Sequence, residues 1–445
     1  LVLKRMGKKY FIKTFGCQMN VYDSGRMARM LDEMGLKETT AQRDADVVVF
    51  NTCHIREKAA EKVFFYFGRA YLIKQERLAE GKDTVIGVTG CVVQAEDEEI
   101  LKRAPYVDFA LGPLRYFRLK EVVEEIFNKR DAKLLDTEFS AVSKFDKLPE
   151  NKAEGGCSYL AIQEGCNNFC TYCVVPYTRG VEMSRPVEDI LREARRLAET
   201  GSVELNLLGQ NVNSYHGEDA DGKERNLAYL LYKVAEIDGI KRIRYTTSYP
   251  ADVDDDLICC HKELDKLMPY LHLPIQSGSD SVLKRMNRRH TRDDYLRVVD
   301  KLKEANPAIG MSSDFIVGFP GESDDDFKQT LEIVNRVKYI QAFSFKYSRR
   351  PGTPAAVMEG QIEEKVKKER LQDLLFSYQT KFNKDSVGKI MPVLFETKGR
   401  HKGQLAGRSP YMQNVHAAAD MSLLNKIVDV RITDASTNSL SGEVA

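Results

Sequence analysis

Cys166-Asn167-Asn168-Phe169-Cys170-Thr171-Tyr172-Cys173 packs three thiols into one short polar stretch. Three thiolates at this spacing can wrap one iron–sulfur cluster, because sulfur ligands match the soft iron–sulfide core. A cubane cluster has four irons, so three cysteines leave one iron open. An open position is what catalysis needs, and a structural site would close it. The competing readings are a zinc site with a distant fourth ligand, and unliganded core thiols. No His or Cys follows at zinc-finger spacing. Three clustered thiols in a polar loop also fit a core poorly.

Cys17, Cys53 and Cys91 form a second, dispersed set. Singly, each reads as a small buried hydrophobe. Together they follow three successive strand signals, in Gly16-Cys17, Asn51-Thr52-Cys53 and Gly90-Cys91 contexts, which points to a second metal centre. Again only three thiolates are offered. A second open cluster could bind an exogenous sulfur ligand or give up a sulfide. Cys157, Cys259 and Cys260 have no partner at ligand spacing and read as non-ligands. None of the seven His pairs with another ligand type at metal spacing; His54, beside Cys53, reads as a helix-start residue.

The elements that must position these residues are alternating strands and helices. Strand-like runs at 10–15, 46–51 and 84–89 each end at one of the dispersed cysteines. The helical spacing from Asn20 to Met34 puts Met27, Met30, Leu31 and Met34 on one face. Successive βα units predict a parallel sheet, whose strand carboxyl ends share one edge and form the ligand crevice. Residues 130–156 are polar and weakly periodic and read as a linker. Six further strand candidates follow at 159–164, 203–208, 243–247, 271–276, 311–319 and 340–347. They suggest an incomplete β/α barrel with its site at the strand carboxyl ends. Residues 361–387 read as one amphipathic helix, and short alternating runs from about 388 fit a small antiparallel β-barrel.

The predicted architecture is therefore α/β with three domains: an N-terminal parallel α/β sheet (8–130), a linker (131–152), a partial (β/α)6 barrel (153–382) and a C-terminal antiparallel β-barrel (383–445). A length of 445 residues suits about three domains of roughly 150 residues each. Hydrophobic residues make up 42% and charged residues 30%, an ordinary globular composition. Lys+Arg (67) nearly balances Asp+Glu (66), which excludes the overall basicity of a histone-like binder while permitting a local basic face. No apolar run approaches the ~18 residues that span a bilayer, so no membrane partner is expected. The odd cysteine count argues against a disulfide framework. The first ten residues lack a secretory-signal pattern, so a cytoplasmic location is expected, and the leading Leu suggests an altered or trimmed start.

Thr397 to Ala419 is basic and free of acids, with Lys398, Arg400, Lys402, Arg408, His401, His416 and Tyr411. On a small β-barrel this resembles an RNA-binding surface, with a merely solvated basic face as the competing view. A second basic cluster, Lys284, Arg285, Arg288, Arg289 and Arg292, follows the fourth barrel strand and is placed to hold a phosphate backbone.

The C-x3-C-x2-C loop after the first barrel strand resembles the radical S-adenosylmethionine superfamily. There the cofactor chelates the open iron and, on reduction, yields a 5′-deoxyadenosyl radical. The resemblance implies cofactor contacts at Tyr172 (adenine), Gln210 and Asn211 (methionine end), and Gln276 and Asp314 (ribose and adenine). Gln210 stands where relatives often carry an acid. The order of dispersed cysteines, radical motif and basic barrel is similar to the methylthiotransferase family over nearly the whole chain. One branch matches in Thr14-Phe15-Gly16-Cys17-Gln18-Met19-Asn20, Asn51-Thr52-Cys53 with Ile55-Arg56-Glu57, and Glu164-Gly165-Cys166 through Val174-Val175-Pro176-Tyr177-Thr178-Arg179-Gly180. It matches also in Leu273-Pro274-Ile275-Gln276-Ser277-Gly278-Ser279 and Gly407-Arg408-Ser409-Pro410-Tyr411-Met412-Gln413. That branch acts on N6-isopentenyladenosine beside the tRNA anticodon. Ser248-Tyr249-Pro250 departs from relatives that often have a central His.

The resemblance implies two 4Fe–4S clusters, S-adenosylmethionine, a prenylated tRNA anticodon stem-loop, an electron donor such as flavodoxin or ferredoxin, and a monomer. It implies methyl transfer to a sulfur at the Cys17, Cys53 and Cys91 cluster, then radical-driven C–H to C–S conversion at adenosine C2. The C2–H is neither acidic nor electrophilic, so a radical is a suitable tool, and the cofactor supplies it. The base must leave its stack to reach the site. The terminal barrel, a TRAM domain in this family, is expected to grip the RNA. The alternatives are the same chemistry on another hypermodified adenosine or a ribosomal-protein aspartate, and a non-catalytic iron–sulfur RNA-binding protein.

Overall fold

The computed structural model describes residues 7–54, 57–129, 132–139, 144–370 and 372–445. The chain divides into two compact units. One comprises 1–151 with 164–167 and 174–183; the other comprises 152–163, 168–173 and 184–445. Ile55 and Arg56 of the second cysteine motif lie outside the described residues.

In the first unit, β1 (Lys9–Thr14), β2 (Lys37–Glu38), β3 (Val47–Thr52), β4 (Val85–Gly90), β5 (Phe109–Leu111) and β6 (Leu134–Asp136) form one parallel sheet in the order β2-β1-β3-β4-β5-β6. Every residue of β3 and β4 is buried, as a central strand covered on both faces requires. On one face α1 (Gln18–Glu33) sets Met27, Met30 and Leu31 against Tyr10, Val47 and Val49. On the other, Val63 and Phe67 of α2 (Glu57–Ala79) meet Val48, Phe50 and Ile86.

The expected linker is not one. Its Leu134–Asp136 segment is the sixth strand, and Lys144 and Phe145 are buried in a 3-10 turn. Asp136 is buried because Arg115 donates to it at 2.8 Å and Arg118 pairs with it too. Charged residues read as solvated in sequence become interior when each finds a partner.

In the second unit, β7 (Cys157–Ala161), β8 (Glu204–Leu208) and β9 (Arg242–Thr246) form one parallel sheet, and β10 (Tyr270–His272), β11 (Gly310–Val317) and β12 (Gln341–Lys346) another. A parallel bridge from Ile243 to Leu267 leads from the first sheet to the second. These are the six barrel strands. Leu205, Leu207, Ile243, Leu271 and Phe315 point outward into a core with Ile190, Leu231, Val299 and Ile333 from the surrounding helices. The fourth strand ends at His272 rather than 276, because Pro274 has no N–H for a ladder.

His261 lies in that outer core, 2.6 Å from the Tyr245 hydroxyl. Burial holds its imidazole down to about 4. An unfolded His titrates near ~6.5, so below that pH the unfolded state binds a proton that the folded state refuses. Stability is therefore complete above the unfolded value. It is expected to fall as pH drops toward 4, by roughly 1.4 kcal/mol per pH unit at most. Urea unfolding from pH 7 to 4, with His261→Phe flattening part of the slope, checks this.

The amphipathic stretch 361–387 is two helices, Glu364–Glu369 and Gln372–Lys384, rather than one. The break falls at Arg370, whose backbone is extended while its guanidinium holds Glu322 and Asp324, each at 2.7 Å. The C-terminal strands β13 (Ile390–Lys398), β14 (Gln404–Arg408), β15 (Asn414–Ala418), β16 (Ile427–Ala435) and β17 (Ser439–Val444) close into a barrel, β13-β14-β15-β17-β16. All neighbours are antiparallel except β15 and β17, which run parallel. Among the described residues no helix is long and apolar enough to cross a membrane.

Candidate active site

The three dispersed cysteines stand at the carboxyl ends of β1, β3 and β4, on one sheet edge. Two glycines make that approach possible. A Cβ on Gly16 (φ 124°) would lie 2.3 Å from the Cys53 Cβ, and one on Gly90 (φ 96°) 2.3 Å from the Thr52 carbonyl oxygen. Both backbones also need the positive φ that glycine adopts without strain. Asn20 and Asn51 lock the edge: Asn20 Nδ2 donates to Asn51 Oδ1 at 2.9 Å, and Asn51 Nδ2 donates to the Asn20 carbonyl at 2.8 Å. Cys53 and Cys91 are buried and Cys17 is exposed. The Cys17 thiol is pulled down to about 6, first by a hydrogen bond from Cys53 and then by Arg179. Burial pushes the Cys91 thiol up, opposed by the same Arg179.

Arg179 belongs to a closed ring of four buried charges. Its guanidinium meets Asp23 at 3.1 Å and Glu164 at 2.5 Å, and Lys144 meets the same two carboxylates at 3.1 and 2.5 Å. The four side chains are 0–4% exposed. Sequence reasoning missed this ring. One signal was available: Glu164 and Arg179 are charged residues inside otherwise apolar runs, and such charges are buried only when paired.

In the radical-motif loop, Cys170 is buried, and Cys166 and Cys173 are half-buried. The loop is clamped by the segment after the fourth barrel strand. Asn287 donates to the carbonyls of Asn168 and Phe169, at 3.2 and 3.1 Å, and Thr171 N–H donates to the Met286 carbonyl. Phe169 takes a positive φ of 46°, a strained turn for a bulky residue. Arg288 points inward, 3.7 Å from the Cys170 sulfur and over the Tyr249 ring. Read in the sequence as an RNA contact, it is half-buried here, with its guanidinium beside a prospective thiolate whose charge it can balance. Arg285 is tied to Ser281 and the Gly321 carbonyl, and Arg289 to Asn168 and Asp252. Part of the basic cluster thus holds this loop, while Lys284 and Arg289 remain exposed.

The S-adenosylmethionine residues read from the motif fall at the barrel's strand ends. Asn211 is buried, with its N–H on Gln163 and its amide on Asp252 at 2.7 Å; its Oδ1 has no protein partner. Thr247 and Ser248 likewise present buried hydroxyls without a partner. These orphaned polar atoms fit a polar ligand. Gln210 is half-buried, and Gln276 holds a left-handed φ of 75° with its N–H on the Asp314 carbonyl. Tyr172 sits among Val282, Met286 and Phe319, an apolar cluster suited to one side of a ring. Asp314 faces the lumen, 3.7 Å from His272 Nε2 and in register with Phe343.

The terminal barrel docks at the opposite, amino ends of the strands. Arg244 donates to the carbonyls of Ser409 (3.0 Å) and Pro410 (2.8 Å), Arg242 to those of Pro392 and Arg408, and Glu204 holds both guanidinium groups. Tyr411 packs edge-on against Phe382, and Arg408 pairs with Glu396. Those two residues are half-buried, whereas Lys398, Arg400 and Lys402 are exposed. Cys157, Glu204 and Glu396 bring three donor atoms within 4.8 Å of one another. The two arginines on Glu204 already supply the positive charge there, so a cation has no place.

Three family models match in succession: the uncharacterized protein family UPF0004 at 9–112, the Radical SAM superfamily at 160–334 and the TRAM domain at 384–445. The radical S-adenosylmethionine methyltransferase TsrM from Kitasatospora setae shares the fold, with a TM-score of 0.57 and 12% identity over 79% of this chain and 74% of that one. The cobalamin-dependent radical enzyme OxsB does so at 0.55 and 13%, over 84% and 58%. The family match and the fold together define a radical S-adenosylmethionine enzyme. Curated relatives carry the match to one family. The tRNA-2-methylthio-N(6)-dimethylallyladenosine synthase of Agrobacterium fabrum is 52% identical over 98% of both chains, and that of Bartonella tribocorum 50% identical over 98% of this chain and 96% of its own. The chain belongs to the tRNA-2-methylthio-N(6)-dimethylallyladenosine synthase family.

Proposed function

We propose that this protein inserts a methylthio group at C2 of N6-isopentenyladenosine at position 37 of tRNA, beside the anticodon. The observation that carries the reading is the convergence of Cys17, Cys53 and Cys91 on one sheet edge in a chain that also holds the Cys166, Cys170 and Cys173 motif. Each set offers three thiolates, the number that leaves an iron open. When bound, two 4Fe–4S clusters and S-adenosylmethionine supply the methyl group, the sulfur and the radical that this C–H to C–S conversion needs.

The chain's own residues position. Asn211, Gln210 and Gln276 line the strand ends that would hold the cofactor's polar groups, with Tyr172 supplying apolar surface. Arg288 keeps positive charge beside Cys170. His272, Asp314 and Phe343 present a polar and aromatic lumen wall for the flipped base. The protein acts as a cytoplasmic monomer, reduced by a flavodoxin- or ferredoxin-like donor.

The test is an anaerobic reaction of reconstituted protein with reductant, S-adenosylmethionine and prenylated, unthiolated tRNA, followed by nucleoside mass spectrometry. A methylthio gain on the prenylated adenosine, lost in Cys170→Ala, is the expected result. Deoxyadenosine without modified tRNA would overturn the substrate and turn attention to ribosomal protein.

Lys398, Arg400 and Lys402 are proposed to hold phosphates. Replacing all three with Ala is expected to weaken tRNA binding and flatten the dependence of log affinity on log salt by about two to three units. Filter binding between low and moderate salt reads both.

A further inference from the structure

Phe65 on α2 is 69% exposed. A single exposed apolar side chain is ordinary. This one ends a contiguous aromatic row: Phe65 meets Tyr66 edge-on with ring centroids 5.7 Å apart, and Tyr66 meets Phe15 at 5.1 Å. Positive charge is set among the rings. Lys13 Nζ lies 4.2 Å from the Tyr66 centroid and 5.7 Å from that of Phe15. Arg69, four residues after Phe65 and so on the same face of the helix, is exposed. Among the described residues neither cation meets an acid. All five residues belong to the first unit, and Phe15 directly precedes Gly16-Cys17, so the row borders the edge on which the dispersed cysteines stand.

We propose that this face of the first unit is a second RNA interface, which stacks an unpaired base on Phe65 and holds the adjoining phosphates with Lys13 and Arg69. Rings set among cations suit single-stranded nucleic acid, because every base has a π-face and every phosphate is an anion. A duplex keeps its bases stacked inside and offers the rings nothing. The chain's net charge is only +1, so RNA has to be held by local cations such as these. The identity of that RNA, the loop nucleotides beside the modified adenosine, rests on the proposed function; the interface itself does not. A protein partner would instead use the apolar stripe that continues to Leu72, seven residues after Phe65 and 63% exposed.

The experiment measures fluorescence anisotropy of a labelled, prenylated anticodon stem-loop RNA, and of a blunt RNA duplex, with the reconstituted full chain at several salt concentrations. Phe65→Ala is expected to weaken stem-loop binding roughly tenfold, the scale of one lost base stack, with the salt slope unchanged. Phe65→Tyr, which keeps a ring, should stay near the parent. Lys13→Gln should weaken binding and flatten the slope of log affinity against log salt by about 0.7, the share of one phosphate on a single strand. Leu72→Ala should bind as the parent does, and Phe65→Ala should leave duplex binding unchanged. Unchanged stem-loop affinity in Phe65→Ala would overturn the proposal, as would an equal loss on the duplex. Leu72→Ala matching Phe65→Ala would also overturn it and make the face an apolar one. A parent that binds the stem-loop through Phe65 but yields no methylthio product would leave this interface standing and overturn the proposed function alone.

Discussion

Cys91→Ala is expected to abolish methylthiolation of tRNA while leaving reductive cleavage of S-adenosylmethionine intact. Cys91 is buried at the first turn after β4, where Gly90 lets the chain pass Thr52. Removing it takes one of three thiolates from the sheet edge and leaves the sequence from Cys166 to Cys173 untouched. The lost sulfur is small, so the fold should weaken by about 1 kcal/mol or less once the site is empty of metal. Nucleoside mass spectrometry should show no methylthio product, and deoxyadenosine should still accumulate under reductant. Retained product would remove Cys91 from the chemistry. Loss of both products in a folded chain would make the dispersed cysteines a support for the radical site rather than a second centre.

Glu204→Ala is expected to lower the stability of the second unit by roughly 3–5 kcal/mol, the range for one partner removed from a buried ionic cluster. Glu204 is 1% exposed and holds Arg244 at 3.0 Å and Arg242 at 3.5 Å. Without it two buried guanidinium groups keep carbonyl partners but lose their closest anion. Those carbonyls belong to Pro392, Arg408, Ser409 and Pro410, so the loss should reach the terminal barrel. Urea unfolding should shift to lower midpoint, and limited proteolysis should cut near residue 385 sooner than in the parent. Glu204→Gln, which keeps an acceptor, should cost less. Equal stability of Glu204→Ala and the parent would show that the carbonyl contacts alone satisfy the arginines.

Much of the site was legible locally. A strand ending in Gly-Cys, a helix face of Met27, Met30 and Leu31, and three thiols in the Cys166 loop are patterns of neighbours in the chain. Backbone geometry converts them directly into sheet edges and ligand loops. The six barrel strands were legible for the same reason: alternation and buried runs are short-range signals, and they fell within a few residues of the observed spans. The break at Arg370 and the early end of the fourth strand were less so, since one depends on Glu322 and Asp324 and the other on a ladder that Pro274 cannot continue.

The amino-acid order by itself determined the two cysteine sets, the strand–helix alternation that delivers each to a carboxyl end, and the small barrel at the end. Tertiary structure alone decided where the charges went. Lys144, read in a solvated linker, is fully buried between Asp23 and Glu164. Arg288, read as a phosphate contact, turns to the Cys170 sulfur. Ser409 and Pro410, read within the basic stretch, turn their carbonyls to Arg244 and carry the barrel's docking. The physical reason is common to all three. An isolated charge prefers water, and only a partner of opposite sign or a row of carbonyls, brought from far along the chain, makes its burial favourable.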